Sequence, residues 1–229
     1  SSDGQGRVVY ELGGELRVFD VAGKQDRPAP ITVPADGLGS RPSRYSAEKQ
    51  IESFSLSPKG ERALFVARGD VFTARIEKGA TRNLTNSSSA HEKHARWSPD
   101  GKRISFVSDR SGEEQVYLID QDGFGQPDPL TTQFAVQLQA PEWSPDGKRL
   151  AFSDKDGKVF VLTVADKKVV EVADDAFGGV NDYGWSPDGG HLAFSMGNLN
   201  GNDTVHVWIV ADAKTRPVTD PMWDAGNPA

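Results

Sequence analysis

Cysteine is absent from this chain of 229 residues. That removes disulfides, thiolate nucleophiles and cysteine-based zinc sites together. It leaves the compartment open, since reducing and oxidising surroundings both hold cysteine-free proteins. No apolar run approaches the roughly 20 residues of a spanning helix. No stretch reads as an amphipathic helix of about ten residues or more. Positive charge is in the minority: 26 Lys and Arg face 33 Asp and Glu, a formal net charge of −7. A nucleic-acid backbone is therefore a poor partner. Paired carboxylates, a nucleophile beside a base, a Gly-x-Ser-x-Gly elbow and a phosphate-cradling glycine loop are all missing. The absences point away from a self-sufficient enzyme and toward a scaffold or binding module.

What is present is glycine and proline, 24 and 14 residues spread along the whole chain. With 36% hydrophobic and 26% charged residues the chain has a globular composition, that of a soluble protein of cytoplasm or periplasm. Evenly scattered Gly and Pro suit an all-β protein with many turns.

The turns repeat. Trp97-Ser98-Pro99-Asp100-Gly101 recurs at Trp143 to Gly147 and at Trp185 to Gly189, with a weaker copy at Leu56-Ser57-Pro58-Lys59-Gly60. The serines Ser57, Ser98, Ser144 and Ser186 are separated by 41, 46 and 42 residues. A period of about 40–45 is that of a four-stranded propeller blade in a WD-like repeat. Pro presets φ, Asp bonds the backbone ahead and Gly accepts a positive φ. A strand rich in Phe and aliphatic residues follows each turn, as in Arg103 to Val107 and Arg149 to Ser153. A third strand comes next, as in Gln115 to Ile119, and then a short last one, as in Arg82 to Thr85. The recurrent Phe65, Phe106, Phe152 and Phe194 read as core between blades, as do the three repeat tryptophans.

The expected fold is thus all-β, a single propeller domain over 1–229 with about five antiparallel four-stranded blades. The blades are expected at 51–86, 93–133, 138–174 and 180–220, with a first one at 1–35. That first blade shows strands at Arg7 to Tyr10, Glu15 to Asp20 and Pro30 to Val33, and lacks an innermost strand. Residues 226–229 resemble the start of one, so the C-terminal segment is expected to complete the first blade. An open arc that self-associates through its sheet edges is the competing arrangement. The chain begins at Ser1 without Met and ends at Ala229, both inside a repeat, as expected of a processed chain or a piece of a longer one.

Candidate chemistry is sparse. The repeated serines are turn residues. His91, Glu92 and His94 have the composition of a divalent-metal site, but no third His is near and the expectation is polar residues on the mouth of the propeller. Asp154-Lys155-Asp156-Gly157 starts like a calcium loop yet lacks the later ligands, and reads as a hairpin turn. No metal and no cofactor is expected. The largest departure from the repeat is the inserted loop 34–50, with Arg41 and Arg44. Arg41, Arg44, Arg68, His91, His94 and Arg110 are candidates for one basic face suited to a peptide carboxylate or an acidic side chain of a peptide or protein partner. The bland alternative is a solvated loop with a structural arginine or two.

The run Trp-Ser-Pro-Asp-Gly-Lys-Arg-Ile/Leu-x-Phe resembles the propeller repeats of the TolB and tricorn protease families. The stretch Ser55 to Phe72, followed by Lys78 to Thr85, is similar to the opening of the second propeller in bacterial tricorn-like serine peptidases. The resemblance implies a non-catalytic propeller that gates or filters peptides for a peptidase core, whose catalytic Ser and His have no matching positions here. The family propellers carry six or seven blades, so five implies a fragment or a shortened relative. A TolB-like module that binds a protein segment at the propeller mouth is the alternative. A lectin-like propeller fits less well, because the rim loops differ from blade to blade.

Overall fold

A computed structural model describes residues 2–12, 15–29, 48–87, 89–177, 179–180, 182–226 and 228. It divides into two compact units, residues 1–45 and 46–229. The first unit holds an antiparallel sheet of β1 (Arg7–Leu12), β2 (Glu15–Asp20) and β3 (Gln25–Pro28). The carboxylate of Asp20 accepts the amides of Ala22 and Gly23, both at 3.0 Å. That closes the turn early, so pairing resumes at Gln25 opposite Asp20. The third strand of this sheet therefore precedes the Pro30 to Val33 run expected from its apolar residues, which lies outside the described residues. An ion pair of 2.6 Å between Arg17 and Asp26 fastens the same register.

Four further sheets form the second unit, each of four antiparallel strands. They are β4 (Ile51–Leu56), β5 (Arg62–Ala67), β6 (Asp70–Arg75) and β7 (Arg82–Asn83); β8 (Glu92–Trp97), β9 (Arg103–Ser108), β10 (Gln115–Asp120) and β11 (Asp128–Pro129); β12 (Glu142–Trp143), β13 (Arg149–Ser153), β14 (Lys158–Thr163) and β15 (Lys168–Asp174); and β16 (Tyr183–Trp185), β17 (His191–Gly197), β18 (Asp203–Ile209) and β19 (Lys214–Pro217). These are propeller blades, called here blades two to five. A 3₁₀ turn at Glu48–Gln50 leads into β4. The strand expected from residues 226–229 includes residues 227 and 229, which are not described. In its own unit, the Ala225 amide donates to Asp203 O at 2.9 Å, which holds the chain just before that segment beside β18. Among the described residues the first sheet has three strands.

The blades stack because each has two apolar faces. Val107, Val116 and Leu118 of blade three pack with Trp143, Leu150, Phe152 and Leu162 of blade four. Leu64, Val66 and Val71 of blade two pack with Trp97, Ile104 and Phe106 of blade three. Val159, Val161 and Val172 pack with Leu192, Phe194 and Trp208 of blade five. Strands β9 and β13 are buried on both faces after their first residue, as sheets sandwiched between neighbours should be. Phe106, Phe152 and Phe194 are completely buried, each worth about 2–3 kcal/mol over an exposed ring. Phe65 is only half-buried, and its register neighbour Phe54 in β4 is exposed. Polar groups also join the blades. The Tyr183 hydroxyl donates to Ala140 O, and burial pushes its pKa up to about 12. Trp185 Nε1 donates to Glu142 O at 3.2 Å, and Thr215 Oγ1 to Val172 O at 2.6 Å.

The Ser-Pro-Asp-Gly turns lie along one edge of the stack, the lower edge. In blade three the Ser98 hydroxyl donates to Asp100 at 2.6 Å and accepts the Arg103 amide at 3.0 Å. Blade four repeats this with Ser144, Asp146 and Arg149, and blade five with Ser186, Asp188 and His191. In blade two Lys59 stands where the others have Asp, and only the bond from the Arg62 amide to Ser57 Oγ remains.

Candidate functional site

The opposite, upper edge carries the hairpin turns between the second and third strands. Arg68 and Gly69 both have positive φ, 57° and 74°, the conformation of a two-residue hairpin loop that follows the sheet twist. Gly69 is needed for a second reason: a Cβ there would sit 3.1 Å from His91 Cδ2. The bare backbone lets the entrance of blade three come close, and Gly69 O accepts the Glu92 amide at 2.9 Å. His91 is held from its other side, its amide donating to Asp109 at 2.7 Å. These bonds bring the Arg68 turn, His91 and the Asp109-Arg110 turn onto one stretch of the upper edge. The side chains of Arg68 and His91 are exposed there.

Beneath them Glu92 is completely buried. Its carboxylate pairs with Arg110 at 2.8 Å. It also accepts the hydroxyls of Ser87, at 3.1 and 2.9 Å, and of Ser108, at 3.0 Å. Such a carboxylate is satisfied inside the fold and is not a vacant metal ligand. Arg110 is engaged on every side. It lies over the rings of Phe106 and Tyr117, 5.7 and 5.2 Å from their centroids, and its Nε donates to Ser108 Oγ at 3.2 Å. Sequence reasoning listed Arg110 with the exposed cations and overlooked the buried acid that holds it. Alternation counted back from Ala95 and Trp97 would turn Glu92 outward; the bulge between Lys93 and Arg96 turns it inward, so the sequence carried no signal for it.

His94 lies inside β8, not in the loop before it. Strand pairing already begins at Glu92, opposite Ser108, and a bulge between Lys93 and Arg96 absorbs His94 with φ at 55°. Burial first, then Lys93 and Arg96, lower its pKa, with Glu114 opposing. The imidazole is therefore neutral at neutral pH. Lys93 pairs with Glu114 at 2.7 Å, and Glu114 also accepts the Leu138 amide at 2.7 Å, tying blade three to the entrance of blade four. Among the described residues no group of three or more His, Asp and Glu gathers to hold a metal. Arg41 and Arg44 lie outside the described residues. The Asp154 carboxylate accepts the amides of Asp156 and Lys158 at 3.0 and 2.9 Å, the bonding of a hairpin turn.

The hydroxyls of Ser98, Ser144 and Ser186 are each held between the turn Asp and the next strand, and that of Ser57 accepts the Arg62 amide, so they act as turn residues. The upper edge carries an exposed Arg and an exposed His close to the buried Arg110–Glu92 pair. Guanidinium groups form charge-assisted hydrogen bonds to carboxylates.

Comparison with known proteins bears on this arrangement. The family model described as the tricorn protease second beta propeller domain matches residues 51–229. A curated tricorn protease homolog of Streptomyces coelicolor is 26% identical over 120 residues, 52% of this chain and 10% of that protein. The chain thus spans about a tenth of that relative. Among solved structures, the tricorn protease superposes with a TM-score of 0.66 at 15% identity, over 93% of this chain and 21% of its own. TolB from Acinetobacter baumannii gives 0.57 at 17% identity, over 95% and 54%. At such identities the structural likeness shows the fold.

Proposed function

Because the chain belongs to the family of tricorn protease second β-propeller domains, we propose that it is a non-catalytic scaffold that admits or holds extended peptides at its upper edge. The observation that carries this reading is the meeting of Arg68 and His91, both exposed, on the edge where Gly69 and Asp109 bind the entrance of blade three. Arg110 serves that edge from below by neutralising Glu92. Arg41 and Arg44 belong to the same proposed set. The chemistry offered is a charge-assisted contact to a peptide's terminal carboxylate or an acidic side chain. No bond-breaking step is assigned to residues 1–229. Any hydrolysis in which the chain takes part is carried out by other domains.

The test is binding of short peptides with free and amidated C-termini, measured by fluorescence anisotropy. Replacing Arg68 and His91 together by Ala should weaken the free-acid peptides about tenfold and leave the amidated ones unchanged. Replacing Arg41 and Arg44 should act in the same direction. Unchanged affinity in both double variants would return the loop and the turn to a solvated role. Peptide turnover that persists in the purified chain would overturn the scaffold reading. A TolB-like role, holding a segment of a folded partner, is the second reading, favoured by the TolB superposition over 95% of the chain. It predicts capture of a folded protein and no affinity for free short peptides.

A further inference from the structure

A second feature lies at the lower edge, at the other end of the same strands and independent of the reading above. Arg62 of β5 stands directly opposite Arg75 of β6 in the register. Arg82 of β7 lies on the next strand, opposite Thr73. Like charges facing one another across a ladder are unfavourable. Yet among the described residues no carboxylate comes within ion-pair distance of any of the three.

Each arginine is nevertheless held in place. Arg62 donates to Thr73 Oγ1 at 2.6 Å, while its Nε is buried without a partner. Gly79, with φ at 150°, leaves room for the stem of Arg75, whose Cδ would lie 2.7 Å from any Cβ there. Arg82 donates to Asp122 O at 2.9 Å and lies 5.0 Å from the centroid of the Phe124 ring. Burial, then Arg75 and Arg82, lower the pKa of Arg62. The charges acting on Arg62 are cationic.

The three side chains line a cleft between blades two and three. One part, of about 710 Å³, is lined by Arg62, Arg75, Lys78 and Gln121 together with the carboxylates of Glu61 and Glu77, neither of which comes within ion-pair distance of an arginine there. An adjoining part of 220 Å³ shares Arg62, Arg75 and Gln121 and adds Arg82. The repeat supplies an internal control. At the corresponding position of blade three, Arg103 stands opposite Asp120, and Asp100 and Asp146 line a cleft with it. In blade four Arg149 approaches Asp146 at 3.8 Å. Blade two lacks both acids: Lys59 replaces the turn Asp and Arg75 replaces the strand Asp. The fold therefore does not require cations here, and three of them converge on open space in a protein of net charge −7.

We propose that the cleft of Arg62, Arg75 and Arg82 is an oxyanion site, which takes a phosphate or a carboxylate group of a small multivalent ligand. Guanidinium forks suit both groups and would be relieved of their mutual repulsion by either. The test is thermal unfolding of the 229-residue chain at constant ionic strength, with inorganic phosphate or citrate titrated in. The expected result is a saturable rise in Tm of about 2–4 °C with at least one of the two. Phosphate alone assigns a phosphoryl ligand, citrate alone a carboxylate one, and both together the shared chemistry. Arg75 is exposed, so Arg75→Gln should fold normally and abolish the saturable rise, as should Arg82→Gln. Phosphate and citrate also stabilise proteins by exclusion from their surface. An equal rise in the parent and both variants, or no rise in the parent, would overturn the proposal.

Discussion

Blades two and three are built from the same repeat and treat their arginines in opposite ways. In blade three each end sets an acid against its arginine. Arg110 pairs with buried Glu92 at the upper edge, and Arg103 has Asp120 across the ladder at the lower one, though the two are not within ion-pair distance. In blade two the lower edge collects Arg62, Arg75 and Arg82, with no acid in ion-pair distance among the described residues. Two blades with the same strands and the same turn type can thus carry opposite local fields. Stability sets the backbone pattern, and the side chains at the strand ends are left to vary. A cation matched inside the fold is structure; a cation left facing a cleft is available to a ligand.

The largest way to break this contrast is to remove a matched partner. Arg110→Ala leaves Glu92 buried and uncompensated, and should cost about 3 kcal/mol, seen as a lower urea midpoint. Adding Glu92→Gln to that variant should recover part of the loss. If Arg110→Ala is neutral, the pair is not what holds the upper edge. A smaller test exchanges the two blades' chemistry. Arg75→Asp should stabilise and Asp120→Arg should destabilise, each by about 0.5 kcal/mol, because both positions are exposed and screened. Shifts of the same sign would remove the comparison. The smallest concerns the turn. Lys59→Asp should give blade two the Ser–Asp bond of its neighbours and add about 0.5 kcal/mol at neutral pH. In blades three and five the serine hydroxyl holds Asp100 and Asp188 below the ordinary carboxylate value of 3.8. A depressed carboxylate stabilises fully above that value, and its contribution is lost as pH falls through the lower folded one. The gain from Lys59→Asp should therefore be complete at about pH 6 and be lost progressively on acidification below 3.8, followed by denaturation midpoints across pH.

Much of the fold was legible in the residues. Ser-Pro-Asp-Gly announces a turn because each residue meets a separate backbone need, and its recurrence marks the blades. The strands after it followed from Phe and aliphatic runs with turns at both ends. The strand Gln25–Pro28 of the first sheet was not expected. Its residues are polar, but hairpin register is chosen by the turn, and Asp20 closes that turn early; the expected run Pro30 to Val33 lies outside the described residues. His94 was expected in a loop for a similar reason: a bulge adds a residue to a strand without any mark in composition. Of the candidate cations, Arg68 and His91 lie on the same edge. Arg110 is engaged by an acid that looked, beside two histidines, like a metal ligand.

The period, the turns, the strands and the all-β class follow from sequence alone, because each depends on neighbours within a few residues or on a pattern repeated often enough to see. Which charges meet was decided only by the tertiary structure. Arg62 and Arg75 face each other because a hairpin sets their register, and Arg82 and Gln121 join them because blade three packs on blade two. Electrostatic energy depends on distance in space, and chain order says little about distance once sheets stack.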